Sequence, residues 1–304
     1  MKKSFFANKR LRLRLALRAA VGSWKRWREP RPDKKLKYEL AVCAIFREEA
    51  PFLDEWLTFH AGIGVTHFYL YNNFSTDNFR EVLRPWQDAG YVTLTEWPVE
   101  VGQIPAYKDC LRRFKNHARW IAFIDIDEFF FAPDGGNVLP TLAAFAHLPG
   151  IEVWHVYFGS NGHEQRPATT VTESYTRCAP SSTTTVKTIA NPRLVYKPGV
   201  HQFKYWAGVG RDTAGQISGR QATPVFDRLR INHYWSRSLE DLAVKIQRGD
   251  ATTVIKRIHD WHLKFERGLN QEADLTILPV ARAIQKPPGV ERWQNKNSVA
   301  GTAA

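Results

Sequence analysis

The feature that most constrains the fold is a fourfold alternation of strand-like and helix-like segments between residues 38 and 131. Short apolar runs are typical of strands buried on both faces, and segments with apolar residues at helical spacing separate them. This alternation favours a mostly parallel sheet with right-handed crossovers and flanking helices, so we predict an α/β domain. The predicted strands are Leu40–Phe46, Thr66–Tyr71, Tyr91–Trp97 and Trp120–Phe131, and the predicted helices are Ala50–Ala61, Asp77–Trp86 and Pro105–Asn116.

The second half of the chain has a less regular pattern. Residues 166–230 are rich in Thr, Pro and Gly and favour only short strands. We predict one folded domain over residues 38–285 and a flexible tail over residues 286–304. The clearest elements of this half are the predicted helices Leu139–His147 and Leu239–Gln247 and the predicted strand Ile151–Phe158.

The formal net charge of +13 is concentrated in residues 1–37, which we call the basic arm. The arm contains fourteen Lys and Arg residues against two acidic residues, whereas the other 267 residues carry a net charge of only +1. An excess of positive charge usually indicates nucleic acid or an anionic membrane as a partner. Because the excess is confined to the arm, it says little about the chemistry of the body.

The basic arm has features of a segment that lies on a membrane surface. Four leucines between residues 11 and 17 alternate with Arg or Ala. No apolar run therefore approaches the ~18–20 residues of a spanning helix or forms the core of a signal peptide. Trp24 and Trp27 are of the kind that settles at a lipid interface. We expect a cytoplasmic protein whose arm docks on the anionic inner face of a membrane, and no nucleic-acid partner, since no folded recognition motif accompanies the arm. A solvated tail is the alternative for the arm.

The number and spacing of the cysteines indicate the redox compartment and bear on whether the chain has disulfides or a zinc site. Cys43, Cys110 and Cys178 are far apart and odd in number, which excludes a disulfide framework. No C-x-x-C pair points to a zinc site. The pattern is typical of a protein from a reducing compartment.

Three carboxylates, Asp125, Asp127 and Glu128, interrupt the apolar run Trp120–Phe131. A buried unpaired charge costs several kcal/mol, so each acid needs a cation, a hydrogen-bond donor or the end of the sheet. On a continuous strand, Asp125 and Asp127 point to one face and Glu128 points elsewhere. Ligands of open α/β sheets bind at the carboxyl ends of strands, and paired carboxylates there suit Mg²⁺ or Mn²⁺. The alternative is that backbone donors or Arg satisfy both aspartates.

Six blocks of the chain, in this order and spacing, resemble the glycosyltransferases of the GT-A fold. Within that fold the resemblance is to family 92 and its bacterial relatives near family 2, and it covers roughly residues 38–250. The blocks are Ala41–Glu49 with Glu55–Leu57; Gly64–Asp77; Gln103, Ala106, Tyr107 and Cys110; Ile124–Phe129; Trp154, Phe158, Gly159, Gly162 and His163 with Lys187, Ile189, Pro192 and His201; and Asn232–Ser238 with Lys245, Arg248 and Gly249.

The resemblance implies a GT-A-like central sheet with an acceptor-binding C-terminal half. It also implies a metal-dependent, inverting transfer of a sugar from a nucleotide-sugar donor to a glycan or lipid-linked acceptor, with UDP-galactose as the family-level expectation. Asp127 would hold the divalent cation directly, Asp125 would contact the cation or the ribose, and His233 would complete the coordination. Because imidazole suits Mn²⁺ better than Mg²⁺, Mn²⁺ is the expected ion. A hydrogen-bonded structural role is the alternative for His233.

The resemblance also places the donor against loops that follow the strands. These loop residues equally suit caps and turns, and a helical lysine is usually solvated, so those alternatives stay open. The implied donor contacts are Arg47, Glu49, Asn72, Asn73, Asp77, Gln103 and Tyr107, with Lys245 at the diphosphate.

An inverting transfer needs a carboxylate that takes the proton of the attacking hydroxyl. Glu164 is the first candidate because it follows the block expected to line the acceptor side, where Trp154 and His163 would contact substrate. Asp227 and Asp212 are the other candidates. An ordinary surface position is the alternative for Glu164.

Two other classes of protein compete with the enzyme that the resemblance implies. A non-catalytic nucleotide- or glycan-binding protein of this fold has no need of the intact set Asp125, Asp127 and His233. A haloacid-type phosphotransferase places its Asp-x-Asp after the first strand and follows it with Thr, whereas here the motif follows the fourth strand and precedes Glu128. We therefore predict a glycosyltransferase.

Overall fold

Four parallel strands form one end of the main sheet, as the alternation of strands and helices predicts. The computed structural model describes residues 16–27, 29, 36–179, 185–249 and 259–290. The strands are β1 (Tyr38–Phe46), β2 (His67–Asn72), β3 (Val92–Glu96) and β4 (Ala118–Phe123), in the spatial order β3-β2-β1-β4, and the connecting helices are α2 (Ala50–Gly62), α3 (Phe79–Asp88) and α4 (Gln103–Phe114). The predicted α/β class is confirmed.

Strand β1 has an uninterrupted apolar run because both of its faces are buried. Leu40 and Val42 lie in the core that includes residues of α2 and α3. Ala41 and Cys43 lie on the opposite face, in the core that includes residues of α4. Successive side chains of a strand point to opposite faces, and here both faces are covered by helices.

Antiparallel strands extend the sheet beyond β4 and make it mixed. Strand β8 pairs with β4 and with β6, and β11 lies between β5 and β6. The remaining strands are β5 (Glu128–Phe131), β6 (Gly150–Phe158), β7 (Arg177–Cys178), β8 (Val186–Ala190), β9 (Val195–Lys197), β10 (Lys204–Tyr205), β11 (Arg230–Tyr234) and β12 (Glu272–Ala273). The remaining helices of this half are α5 (Leu139–Ala144), α6 (Val171–Ser174), α7 (Leu239–Arg248), α8 (His259–Arg267) and α9 (Leu278–Ala283).

The prediction of one continuous strand over Trp120–Phe131 is wrong. The chain leaves the parallel sheet after β4, passes through residues 124–127, and re-enters as β5 beside β11. The backbone N–H of Glu128 donates to the carbonyl of Asp125 (3.1 Å), and the Glu128 carboxylate accepts from the backbone N–H of Asp125 (3.0 Å). The break places Asp125 and Asp127 on a loop, where carboxylates meet donors that a buried strand does not offer.

Part of the basic arm is a helix that packs on the body. Residues 16–27 form helix α1, and Arg18 donates from Nε to the carbonyl of Tyr205 (2.9 Å). Gly22 lies so close to Ala207 that a side chain at this position would overlap the Ala207 methyl group. The opposite face of α1 carries Leu17 and Trp27, which are 59% and 83% exposed. Residues 1–15, 28 and 30–35 of the arm lie outside the described residues. No described helix is long and apolar enough to cross a membrane.

The chain remains packed beyond residue 285. Lys286 pairs with Asp54 on α2 (2.7 Å), and Val290 is buried in the main core. Residues 291–304 of the predicted tail lie outside the described part of the chain. The three cysteines are buried and free.

Candidate functional site

A cleft of about 400 Å³ opens at the carboxyl ends of β1 and β4. This is the edge at which ligands of open α/β sheets bind, because the loops that follow parallel strands meet there. The structure brings eight of the predicted site residues together on its lining, namely Arg47, Glu49, Asn73, Gln103, Asp125, Asp127, His233 and Lys245.

Asp125 is held between an amide and a buried ammonium group. Gln103, the first residue of α4, donates to Oδ1 (2.8 Å), and the Nζ of Lys187 on β8 contacts Oδ2 (2.6 Å). Burial alone would lower the pKa of Lys187, but Asp125 and Glu128 raise it well above its ordinary value. Lys187 is therefore a charged group inside the protein, and Asp125 is its nearest carboxylate partner.

Asp127 lies between a lysine and a histidine. The Nζ of Lys245 contacts Oδ2 (2.6 Å), and the Nε2 of His233 lies 3.3 Å from the same oxygen. Burial opposes the charge of Asp127, but Lys245 and His233 hold the pKa of this carboxyl well below its ordinary value. Ser238 and Asp241 form a capping box that fixes the start of α7, and this helix carries Lys245 to the cleft.

Glu128 also belongs to the site, although a continuous strand would have turned its side chain away from Asp125 and Asp127. It is fully buried, lines the bottom of the cleft, and lies 3.6 Å from the Nζ of Lys187. Burial raises the pKa of Glu128 well above its ordinary value, and Lys187 opposes this shift. One signal for its role was present in the sequence, since a third acid in an apolar run also requires a partner.

Glu49 forms ion pairs with two arginines, neither of which was predicted as a site residue from the sequence. Arg237 (2.6 Å) and Arg248 (2.5 Å) both contact its carboxylate. Glu49 and Arg248 line the same cleft as the loop of residues 124–127, which we call the D-x-D loop. Arg237 also donates to the carbonyl of Ile126 (3.0 Å) and covers the ring of Phe52 at 3.6 Å. This network ties the turn after β1 to the loop that carries Asp125 and Asp127.

Three predicted donor contacts hold the walls of the cleft rather than line it. The Asn72 side chain bonds Glu96, and Asp77 accepts from the backbone N–H of Ala50 at the start of α2. Tyr107 is fully buried, and its hydroxyl accepts from Gln103 (3.1 Å). These are the cap and support roles that the sequence left as alternatives.

The acceptor-side candidates lie away from the described cleft lining. Trp154 is buried and donates to Asp212 (3.0 Å), whose carboxylate also closes a local turn. The ring of His163 packs edge-on against Tyr175. Glu164 and Asp227 are exposed. The structure does not bring these residues to the D-x-D loop, and the choice of Glu164 or Asp227 as the base stays a prediction.

The side chains around Asp127 fit a divalent cation. The 3.3 Å between Asp127 Oδ2 and His233 Nε2 is close to the separation of about 3 Å between adjacent ligands of an ion with bonds of ~2.1 Å. Burial lowers the pKa of His233, which favours the neutral imidazole that metals bind. Asp125, Asp127 and Glu128 also present carboxylate oxygens within 4.8 Å of one another.

Comparisons with known proteins find similarity to glycosyltransferases over parts of the chain. A galactan beta-1,4-galactosyltransferase of Arabidopsis thaliana is 27% identical over 118 residues, covering 34% of this chain and 23% of that protein. The crystal structure of S. aureus TarS 1–349 shares 12% identity and a TM-score of 0.33, over 51% of this chain and 48% of that one.

The family is shown by the sequence itself. A glycosyltransferase family 92 protein of Ricinus communis is 33% identical over 187 residues, covering 57% of this chain and 32% of that protein. The chain spans between 32% and 41% of the length of the first curated relatives that it matches. The sequence model of glycosyltransferase family 92 matches residues 38–264, nearly the whole body, and the chain belongs to this family.

Proposed function

We propose that this protein is a metal-dependent glycosyltransferase that moves a hexose from a nucleotide-sugar donor to a glycan acceptor. The observation that carries the proposal is the meeting of Asp125, Asp127 and His233 at the carboxyl end of the sheet in a family 92 chain. The galactan galactosyltransferase among its relatives supports galactose as the sugar and UDP-galactose as the donor. Family membership argues against the Asp-x-Asp phosphotransferase.

The charges of the cleft suit a departing nucleoside diphosphate. Asp127 and His233 would hold the cation, which we propose to be Mn²⁺ because of the imidazole ligand. A bound divalent cation stabilises the negative charge that develops on a leaving diphosphate. Lys245 adds positive charge at Asp127, and Gln103 orients Asp125. Arg47 and Asn73 follow β1 and β2 and would contact the nucleoside.

Inversion at the sugar carbon is part of the proposal and comes from the family resemblance. In the described cleft lining, Glu49, Asp125 and Asp127 are each paired with a lysine or arginine. Such pairing disfavours these three as the base that takes the acceptor proton. Glu164 and Asp227 remain the candidates to test.

The function is tested by a screen of nucleotide sugars with the purified chain and Mn²⁺. We expect UDP-galactose to raise the melting temperature by about 5 °C or more at about 100 times its Kd, because a ligand of the native state stabilises it. Slow donor hydrolysis, followed as UDP release, should accompany the shift. The proposal is overturned if no nucleotide sugar changes the melting temperature and none is hydrolysed.

We further propose that the basic arm associates with an anionic membrane surface through the outer face of α1. Leu17, Trp24 and Trp27 lie on this face, and the fourteen basic residues of the arm supply attraction to anionic lipid. The double variant Leu17→Ser/Trp27→Ser should lose most of its sedimentation with phosphatidylserine vesicles at 0.1 M salt. Ile217→Ser removes an apolar side chain elsewhere that is 55% exposed, close to Leu17, and this variant should bind as the wild type does. Equal sedimentation of both variants would contradict the proposal.

A further inference from the structure

Sheet register places Glu128 directly opposite His233. Strands β5 and β11 run antiparallel, and these two residues are partners in the ladder. The Oε1 of Glu128 lies 3.6 Å from the Nδ1 of His233, on the side of the ring turned away from Asp127. The imidazole therefore stands between two carboxylates, with Asp127 on the cleft side and Glu128 buried behind it.

A second histidine closes the space behind Glu128. His155 on β6 is fully buried, and its Nε2 lies 3.4 Å from the same Oε1 atom. Within the described part of the chain, Glu128 Oε1, His233 Nδ1 and both ring nitrogens of His155 have no hydrogen-bond partner. A buried polar atom without a partner costs about 1–3 kcal/mol, so a cluster of four is rare outside functional sites.

We propose that Glu128 is the positioning residue of the cation site and acts through His233; this inference rests on the proposed function. The 3.6 Å between Glu128 Oε1 and His233 Nδ1 exceeds hydrogen-bond distance, and a small shift of either side chain on cation binding would let Glu128 accept the Nδ1 proton. The Nε2 lone pair would then face Asp127 and the cleft. Histidines that bind metals commonly donate their other ring nitrogen to a carboxylate, which fixes the tautomer and the ring orientation. The His155 ring packs edge-on against His233 at 5.2 Å and holds the pair in place.

A rival arrangement has Glu128 and His155 bind the ion directly. The ligand atoms of Glu128, His155 and His233 do lie within 4.8 Å of one another. However, the side chains of Glu128 and His155 are fully buried, whereas those of His233 and Asp127 are 12% and 11% exposed. An entering cation therefore meets Asp127 and His233 first, which favours the positioning role.

The test measures Mn²⁺ binding to the full chain without nucleotide sugar, from the electron paramagnetic resonance signal of free Mn²⁺. Glu128→Gln should weaken Mn²⁺ binding by about 10–100-fold, the usual effect of removing an outer partner of a metal ligand. Asp127→Ala should abolish it. The matched control is Glu152→Gln, since Glu152 is a buried glutamate on β6 that bonds Ser218 outside the described cleft lining. Its Mn²⁺ affinity should equal that of the wild type.

Each outcome separates the inference from the function on which it rests. Wild-type affinity in Glu128→Gln together with lost binding in Asp127→Ala overturns the inference alone. An absence of Mn²⁺ binding by the wild type overturns the metal-dependent function as well. If Glu128→Gln does not fold, Glu128→Asp replaces it; the shorter carboxylate should bind Mn²⁺ less tightly than wild type and more tightly than Asp127→Ala.

A spectroscopic readout distinguishes the positioning role from the rival arrangement. The ¹⁴N modulation of bound Mn²⁺ in electron spin echo experiments reports a directly coordinated imidazole. The modulation should be present in the wild type and in His155→Gln and absent in His233→Asn. The reverse pattern, with loss in His155→Gln and retention in His233→Asn, contradicts the assignment of Glu128 as a positioning residue.

Discussion

Asp127→Ala should lower the turnover of the nucleotide sugar by on the order of 10²–10³-fold, the range seen when one stabilising group of a transition state is removed. Asp127 is the carboxylate on which Lys245 and His233 converge, so its loss removes the proposed cation ligand and leaves two basic groups without their partner. Turnover is measured as UDP release at saturating Mn²⁺. Nucleotide-sugar affinity, measured by calorimetry, should fall in parallel.

The matched control for this substitution is Asp88→Ala. Asp88 is an exposed aspartate at the end of α3, outside the described cleft lining, and its removal should leave turnover within about twofold of the wild type. Unchanged turnover in Asp127→Ala would contradict the metal-dependent transfer proposed above, in which Asp127 holds the cation. It would also remove the reason to place a metal at the D-x-D loop.

Arg237→Ala should lower the free energy of unfolding by about 3–5 kcal/mol, because it leaves a buried carboxylate without one of its two cations. Arg237 is buried, contacts Glu49 at 2.6 Å and donates to the carbonyl of Ile126. Arg248 remains as the second partner of Glu49, but it donates to the carbonyls of Arg47 and Glu48 rather than to that of Ile126. Urea unfolding followed by tryptophan fluorescence measures the loss.

An exposed ion pair provides the comparison. Arg80 and Glu96 lie 2.9 Å apart with side chains 62% and 50% exposed, so Arg80→Ala should cost less than about 1 kcal/mol. The difference between the two variants isolates the effect of burial. A loss below 1 kcal/mol in Arg237→Ala would show that water compensates Glu49 and that the network does not hold the loop.

The sequence predicted the parallel half of the fold because its signals are local. In β1, a run of seven apolar residues implied burial on both faces, and Leu40 and Ala41 indeed lie in different cores. The D-x-D loop was located for a similar reason, since Asp125 and Asp127 could not be buried unpaired. Arg47, Glu49 and Asn73 came from the family resemblance, which places the donor against the loops that follow the strands, and all three lie on the cleft lining.

The rest of the site depends on pairings between distant parts of the chain. Lys187, His155 and Arg237 reach the D-x-D loop only because β8, β6 and the segment after β11 pack beside it. The spacing of apolar residues within these segments does not predict that contact. The break between β4 and β5 has the same origin, since β5 exists as a separate strand through its pairing with β11.

The position of helix α1 on the body affects the distance between a membrane surface and the cleft. Glu29, just after α1, pairs with Arg193, which in turn donates to the carbonyl of Ala118 at the first residue of β4. The carboxylates follow the last residue of that strand, and six strand residues span about 20 Å. With β4 normal to the membrane, a domain standing on α1 would hold its cleft about that far from the lipid headgroups. Such a geometry suits a soluble acceptor or the growing end of a long glycan, and it disfavours a single sugar attached directly to a lipid.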